Sequence, residues 1–426
     1  MQNFSSESQY WEYLHRIGQV PQGFRIATEE IHFYPVERPV PKPLPMRLVL
    51  IEAVHPVESF AGVFTRNSFP GAPVLIGKKR MAQERVRGIL INNKVSNVGA
   101  SSGVADAEEI LGVLGSLRKG KAEEFIPAST GIIGWKLPKQ EIIQALPSLI
   151  GNLGKANCAD AARAIMTTDA YPKLAVRPLG AGSLVGFAKG AGMIEPNLAT
   201  MLAFLLTDVH IPREVLQTLL QEVAEETFNC ISVDGDQSTS DTLLALSSSI
   251  HKEVAEAEVR KAFREVCGEL AQHIVRNGEG TAHVIQVTVC SAPTFLLARN
   301  IGKAVINSPL VKTAIFGNDP NVGRIVGAVG DFLGNHSIFL DSRNWEIILG
   351  EEKIFSQGRF VLDPEKEVRL AAYLKQASMD PTKKTYPPHE RVVELTLELG
   401  AGTSQATVLG ADLSFEYVRE NADYRS

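Results

Sequence analysis

Apolar and polar positions repeat along this chain with two different periods. Apolar residues within residues 212–224 recur at helical spacing and predict a helix packed on the core, with Pro212 at its start: Val215, Leu216, Leu219, Leu220 and Val223. Strict alternation in residues 284–289 and 393–399 predicts two half-buried strands. Together these patterns predict a layered α/β fold.

Prolines mark two segments outside this regular pattern. Several prolines between residues 35 and 45 predict an extended connector, which leads into an expected strand at residues 48–51. Residues 379–391, MDPTKKTYPPHER, have the proline, lysine and threonine content of a loop in solvent.

A glycine-rich turn leads directly into an apolar segment at residues 189–204, KGAGMIEPNLATMLAF. Two glycines and Pro196 come shortly before Ala199 and Thr200. Two interpretations are open. The segment is an ordinary turn before a buried element, or it presents the Ala199–Thr200 peptide bond and the threonine hydroxyl for chemistry.

Composition and charge narrow the class of protein. The chain is 44% hydrophobic and 21% charged, which is typical of a globular protein. Its length of 426 residues predicts two or three lobes. A net charge of -5 gives no global positive field for nucleic acid or an anionic membrane. No signal peptide is recognisable, and no run reaches the roughly 18 apolar residues of a membrane helix, so we expect a cytoplasmic protein.

Cofactor, metal and disulfide motifs are missing. Gly180, Gly182 and Gly186 depart from the dinucleotide fingerprint, and the sequence contains no G-x-x-x-x-G-K-[ST] loop. The nine histidines lack ligand spacing, and the four cysteines show no C-x-x-C pairing. We therefore expect no metal, no cofactor and reduced thiols.

No G-x-S-x-G elbow of the serine-hydrolase type occurs, so a hydroxyl nucleophile needs another base. If the chain is cut before Thr200, the new α-amino group lies close to the hydroxyl and can take its proton. An α-amine has a pKa of about 7.7 to 8.0 and is partly neutral at cytosolic pH, as a general base should be.

Eight ordered segments carry a resemblance to a known family. KGAGMIEPNLATML (residues 189–202) resembles the processing and nucleophile motif of the ornithine acetyltransferase family, the glutamate N-acetyltransferases of arginine biosynthesis. The other segments follow the same order: GVFTRNSFPGAPV (62–74), ASTGIIG (128–134), AIMTTDAYPK (164–173), SVDGDQSTSDT (232–242), NGEG (277–280), NSPLVKTAIFGNDPNVGRI (307–325) and EYVRENADYRS (416–426).

The resemblance implies a fold and a maturation. The expected fold is a layered mixed α/β sandwich of the self-processing N-terminal-threonine acyltransferase type, with a smaller second α/β lobe. Self-cleavage between Ala199 and Thr200 implies an α chain of residues 1–199, with an extension over residues 1–20, and a β chain of residues 200–426 whose tail closes the site. The family pairs these chains again, which implies an α2β2 heterotetramer.

The resemblance also implies roles for single residues. Thr200 matches the nucleophile, and Thr130 and Gly131 match the oxyanion hole, where one lost donor commonly costs on the order of 10² to 10³ in rate. The matching substrate-binding positions are Thr167, Lys189, Thr200, Glu279, Asn421 and Ser426. A lysine and a carboxylate suit the two charged groups of an amino acid.

The implied reaction is a ping-pong acetyl transfer from N-acetylornithine to glutamate through an acetyl-threonine intermediate. Some members of the family also accept acetyl-CoA, and the sequence leaves this point open. Two rival functions also stay open. One is an aminopeptidase or amidase with the same threonine, and the other is an unprocessed, non-catalytic paralogue.

Several positions depart from the family pattern. Residues 92–103, NNKVSNVGASSG, keep Asn92 and Asn97 but lack the family's cysteine and several small residues. His283 stands where the family has a lysine, and residues 408–413, VLGADL, lack a tryptophan and a cysteine.

Four further charged residues near the motifs are interpreted as structural. We expect Asp234, Asp236 and Asp241 to be buried and to bond backbone amides around the site. We expect Arg324 to pair with a carboxylate.

Overall fold

The computed structural model describes residues 3–195, 201–379, 385–388 and 391–422, and the statements below refer to these residues. Their α-helices are α1 Glu7–Ile17, α2 Ala72–Arg80, α3 Gly103–Leu117, α4 Lys139–Gly151, α5 Cys158–Ala164, α6 Arg213–Glu226, α7 Glu256–Arg276, α8 Phe295–Asn307, α9 Pro309–Phe316, α10 Val322–Asn335, α11 Pro364–Ala377 and α12 Phe415–Ala422.

The strands belong to three sheets and are numbered in chain order. They are β1 Phe24–Phe33, β2 Leu44–Val57, β3 Phe60–Phe64, β4 Val86–Asn92, β5 Phe125–Ser129, β6 Lys173–Leu179, β7 Gly182–Lys189, β8 Leu202–Val209, β9 Ile231–Ser232, β10 Thr242–His251, β11 Val284–Ala292, β12 Glu346–Leu349, β13 Glu352–Ser356, β14 Arg359–Phe360, β15 Val393–Glu398 and β16 Ser404–Ala411.

Two sheets pack face to face and form the sandwich. The first has the order β1-β2-β4-β5 and the second has the order β3-β10-β8-β7-β6. Strand β8 shows why the second sheet is covered by other layers on both of its faces. Its Leu202, Phe204 and Leu206 enter the core shared with the first sheet, whereas Ala203 and Leu205 enter the core beneath α6 and α7. A strand that is apolar on both faces must be covered on both faces.

Helices cover the outer faces of the sandwich. On the first sheet, α3 and α4 pack over a core that contains Leu48, Leu50 and Leu90. On the second sheet, α6 and α7 supply Leu220 and Phe263. The order is helices, sheet, sheet, helices, so the layered α/β sandwich expected from the sequence is confirmed.

The third sheet builds the smaller lobe. Its strand order is β14-β13-β12-β15-β11-β16-β9, with parallel and antiparallel pairs, and α8, α10 and α11 pack on it. This confirms the second α/β lobe. Within the described ranges, no helix combines the length and apolar character needed to cross a membrane.

The predicted elements are found close to their expected positions. Helix α6 begins directly after Pro212, and β2 contains residues 48–51. Strand β11 contains the first alternating segment, and β15 contains the second except for its last residue, Leu399. The last prolines of the connector differ from the expectation, because β2 begins at Leu44 and Pro45 already pairs with His32 of β1. Most of the loop predicted at residues 379–391 lies outside the described residues.

Candidate active site

A cavity of about 230 Å³ lies at the end of the sandwich where β7 ends and β8 and β10 begin. The register brings these strand ends together, because Leu202 pairs with both Lys189 and Thr242. The six described residues that sequence motifs assigned to the site all line this cavity: Thr130, Gly131, Thr167, Lys189, Glu279 and Asn421.

The turn after β5 brings Thr130 and Gly131 to the cavity. The Thr130 N–H donates to the Asn92 carbonyl at 3.1 Å, and the Ser129 hydroxyl donates to the Asn92 side chain at 2.6 Å. Gly131 has a φ of 127°, and a Cβ atom there would lie 2.2 Å from the Lys94 carbonyl carbon. Only glycine allows this close approach of two backbones.

Lys189 is half-buried at the end of β7 and contacts this turn. Its Nζ donates to the Thr130 hydroxyl oxygen at 2.9 Å. Because that oxygen accepts from an ammonium group, the single hydroxyl proton of Thr130 can be donated elsewhere. The pair therefore places a positive charge and a hydroxyl donor side by side in the cavity.

Glu279 supplies a carboxylate to the same cavity. It is 8% exposed, and its two carboxylate oxygens accept from Thr168 Oγ1 at 2.6 Å and from Asn421 Nδ2 at 2.9 Å. Thr168 also lines the cavity and was missed by the sequence analysis. Its position beside Thr167 in the TTD stretch was the available signal.

Asp234 holds the glycine-rich turn in place. Its carboxylate accepts from the N–H groups of Met193 and Ile194 at 2.6 and 2.8 Å, as expected, but Asp234 is half-buried rather than buried. It also accepts from the Tyr417 hydroxyl at 3.3 Å. The turn is thereby connected to α12, the helix that carries Asn421.

Asp241 differs from the structural role expected for it. It is 2% exposed and lines the cavity, and among the described residues its Oδ2 has no hydrogen-bond partner. Burial raises the pKa of Asp241 well above its ordinary value, although the Ser238 hydroxyl and the charge of Lys189 oppose this shift. One oxygen of this buried carboxyl, Oδ2, thus lacks a hydrogen-bond partner within the described ranges.

Two other expectations were wrong. Asp236 is exposed, because it lies at the tip of the loop after β9, whose amides Asp234 already organises. Among the described residues, Arg324 donates to the Leu310 carbonyl at 2.8 Å and lies near the Thr313 hydroxyl, both on α9, and no carboxylate pairs with it.

The departures from the family pattern are accommodated locally. His283 is buried, and its ring nitrogens face Asp412 Oδ2 at 2.7 Å and the Leu374 carbonyl at 3.1 Å. Asp412 belongs to the altered VLGADL segment, so the two changed segments meet in one polar pair. In residues 92–103, the Asn92 amide donates to the Val95 carbonyl at 2.8 Å and the Asn97 amide donates to the Gly103 carbonyl at 2.9 Å.

Three predicted site residues, Ala199, Thr200 and Ser426, lie outside the described residues. The nearest lining residues on either side of the proposed junction are Ile194 and Met201.

The comparisons with known proteins come from sequence and structure. The family model of the ArgJ family matches residues 42–426. "Arginine biosynthesis bifunctional protein ArgJ 2" of a Nostoc species is 39% identical over 364 residues, which cover 85% of this chain and 89% of that protein. "Arginine biosynthesis bifunctional protein ArgJ" of Pseudomonas fluorescens is 38% identical, with 86% of this chain and 89% of that protein covered.

Among solved structures, the crystal structure of arginine biosynthesis bifunctional protein ArgJ from Bacillus halodurans is 33% identical. The match covers 52% of this chain and 99% of that chain, with a TM-score of 0.46. The family model spans most of the chain, and the two sequence relatives each cover well over two thirds of it. The chain therefore belongs to the ArgJ family, the acetyltransferases of arginine biosynthesis.

Proposed function

We propose that this protein transfers the acetyl group of N-acetylornithine to glutamate, after it cleaves itself between Ala199 and Thr200. The observation that carries the proposal is one cavity lined by a hydroxyl donor, a lysine and a carboxylate. This arrangement suits an acyl group attached to an amino acid, whose carboxylate and amine need opposite charges.

The first half of the reaction releases ornithine. The Thr200 hydroxyl oxygen attacks the acetyl carbonyl carbon, and the α-amine of Thr200 takes the hydroxyl proton. The negative charge on the carbonyl oxygen is stabilised by the Thr130 hydroxyl and the Gly131 N–H. The amide bond then breaks, and the proton returns to the leaving amine, which departs as ornithine.

The second half reverses these steps with a new amine. The amine of glutamate attacks the acetyl ester of Thr200, and N-acetylglutamate leaves with the acetyl group. Asn421 on α12 bonds to Glu279 at the cavity wall, which supports the role of the C-terminal segment in closing the site and excluding water.

The experiment combines mass and activity. Intact-mass measurement and N-terminal sequencing of the purified protein should show a fragment that begins at Thr200, and Thr200→Ala should remain a single chain without transferase activity. A full-length, active preparation would contradict the proposal.

Product analysis separates acetyl transfer from hydrolysis. With N-acetylornithine alone, ornithine release should stop at about one equivalent of enzyme, and it should continue when glutamate is added, as a ping-pong transfer requires. Continuous release without glutamate would indicate the amidase reaction instead. Acetyl-CoA is the second donor to test in the same assay, because the relatives are named bifunctional.

A further inference from the structure

A buried ion pair lies beneath the cavity without lining it. Asp169 and Lys173 have fully buried side chains, and Lys173 Nζ lies 2.5 Å from Asp169 Oδ1. Removing two charges from water is costly unless both groups are well hydrogen-bonded, so the bonds around this pair are informative.

Asp169 connects two of the segments that form the site. Its Oδ2 accepts from the Thr167 N–H at 3.0 Å, and its Oδ1 accepts from the Gly190 N–H at 2.7 Å. Gly190 directly follows Lys189. One carboxylate therefore fixes the backbone at Thr167 and at Lys189 relative to each other.

Lys173 extends the connection to the third segment. Its Nζ donates to Asn277 Oδ1 at 2.6 Å, and Asn277 begins the turn that carries Glu279. The Glu279 N–H in turn donates to the Ala191 carbonyl at 3.0 Å, next to Gly190. These hydrogen bonds thus connect the three backbone segments that carry Thr167, Lys189 and Glu279.

We propose that Asp169, Lys173 and Asn277 form a positioning network that sets the separation between the Lys189 ammonium and the Glu279 carboxylate, and thereby the affinity for both substrates. The proposal rests on the proposed function, because it assumes that these two charges bind one amino acid. Asp169 is suited to this role because a carboxylate can accept from two amides and an ammonium at once, whereas an asparagine has one acceptor oxygen.

The Asp169 carboxylate stays ionised near neutral pH. Burial alone would raise the pKa of Asp169, but the ammonium groups of Lys173 and Lys189 and the Gly190 N–H lower it to about 2. Burial lowers the pKa of Lys173, although the charge of Asp169 and the hydrogen bond to it oppose this shift.

The test removes both charges together. In the double variant Asp169→Asn, Lys173→Met, no unpaired charge stays buried, but the Thr167 and Gly190 amides can no longer share two carboxylate oxygens. We expect KM to rise about 10- to 100-fold for N-acetylornithine and for glutamate, while kcat changes less than about threefold. Ornithine at a concentration that raises the melting temperature of the wild type should no longer do so.

The matched control is Glu52→Gln, Arg118→Met. This pair joins through Arg118 Nη2 and Glu52 Oε1 at 2.7 Å, and neither residue lines the cavity. The control should keep both KM values. If the Asp169 and Lys173 double variant has the same KM values and the same ornithine melting shift as the control, the proposed positioning role is wrong.

A second variant covers the case in which the double variant does not fold. Asn277→Ala leaves both members of the Asp169–Lys173 pair in place and removes the side-chain oxygen that accepts from Lys173 and from the Ala170 N–H, so KM should again rise for both substrates. Unchanged KM values for both substrates would contradict the positioning role of the network. Failure of the proposed function would look different, because the wild type itself would transfer no acetyl group. In that case, ornithine binding by the wild type and the variants can still be compared through the shift in melting temperature.

Discussion

Gly131 lies in the turn after β5 that is proposed to form the oxyanion hole, and its replacement has a clear steric consequence. Gly131→Ala would place a Cβ atom 2.2 Å from the Lys94 backbone at a φ of 127°, so the turn must move. If the Gly131 N–H stabilises the oxyanion, kcat should fall by about 10²- to 10³-fold. The measurement is single-turnover acetylation by N-acetylornithine.

Gly134 in the same loop is the matched control for this substitution. It also has a positive φ, of 90°, but a Cβ atom there would meet nothing within 4 Å. Gly134→Ala therefore carries the conformational cost without the collision and should keep kcat within about threefold of the wild type. Equal losses in both variants would show that backbone strain, rather than the Gly131 amide, matters.

Asp241 gives a prediction about stability and pH. Its pKa is raised by burial in the folded protein, whereas in the unfolded chain it is about 3.9. Above that pH the unfolded chain releases a proton that the folded protein keeps, so stability falls as pH rises, until the folded carboxyl also ionises. Asp241→Asn lacks this titration. The melting temperature of the variant relative to wild type should therefore rise with pH above 4, and a constant difference would contradict the prediction.

At the scale of elements, α1 supports the segment that carries Thr167. Tyr10 donates from its hydroxyl to the Pro172 carbonyl at 2.9 Å, and Trp11 lies beneath the guanidinium of Arg163 at 4.8 Å from the ring centre. The helix lies before residue 42, where the match to the family model begins.

Leu14 tests whether α1 belongs to the cooperative core. It is 1% exposed and packs in the core between the sheets, so Leu14→Ala should lower the free energy of unfolding by about 2 to 5 kcal/mol. Denaturant titration measures this loss. Glu12→Ala on the exposed side of the same helix is the control, and similar small effects of both changes would show that α1 is only loosely attached.

Periodic elements could be predicted from the sequence because burial on one face leaves a local pattern. This was sufficient for α6, β11 and β15, and the motifs identified six residues that line one cavity. Contacts between distant segments leave no such pattern. Lys173 and Asn277 are 104 residues apart, and nothing local indicates that they bond. Arg324 was assigned to a carboxylate for the same reason: its partners on α9 become visible only in the fold.

At the scale of the whole molecule, the proposed α and β chains share one sheet. Strands β3, β6 and β7 precede Thr200, strands β8 and β10 follow it, and the order β3-β10-β8-β7-β6 interleaves them. We expect the cleaved protein to keep both chains together under native conditions and to separate only in denaturant.

Light scattering tests this expectation and the proposed α2β2 assembly in one measurement. The mass should be about twice the 46.3 kDa of a single copy. A mass of one copy would exclude the heterotetramer but keep the interleaved chains, whereas a mixture of smaller species would contradict both.

If the proposed cut between Ala199 and Thr200 occurs, the interleaved sheet also determines how the processed protein is lost. Before the cut, β7 and β8 are joined by a short linker and meet at an effective concentration in the millimolar range. After the cut, two chains at micromolar concentration must find each other, which disfavours reassembly by about 4 kcal/mol. A precursor that has unfolded can fold again, but a processed molecule that unfolds at high dilution is not recovered. The lifetime of the processed protein is then governed by how slowly it unfolds, and only new synthesis replaces what is lost.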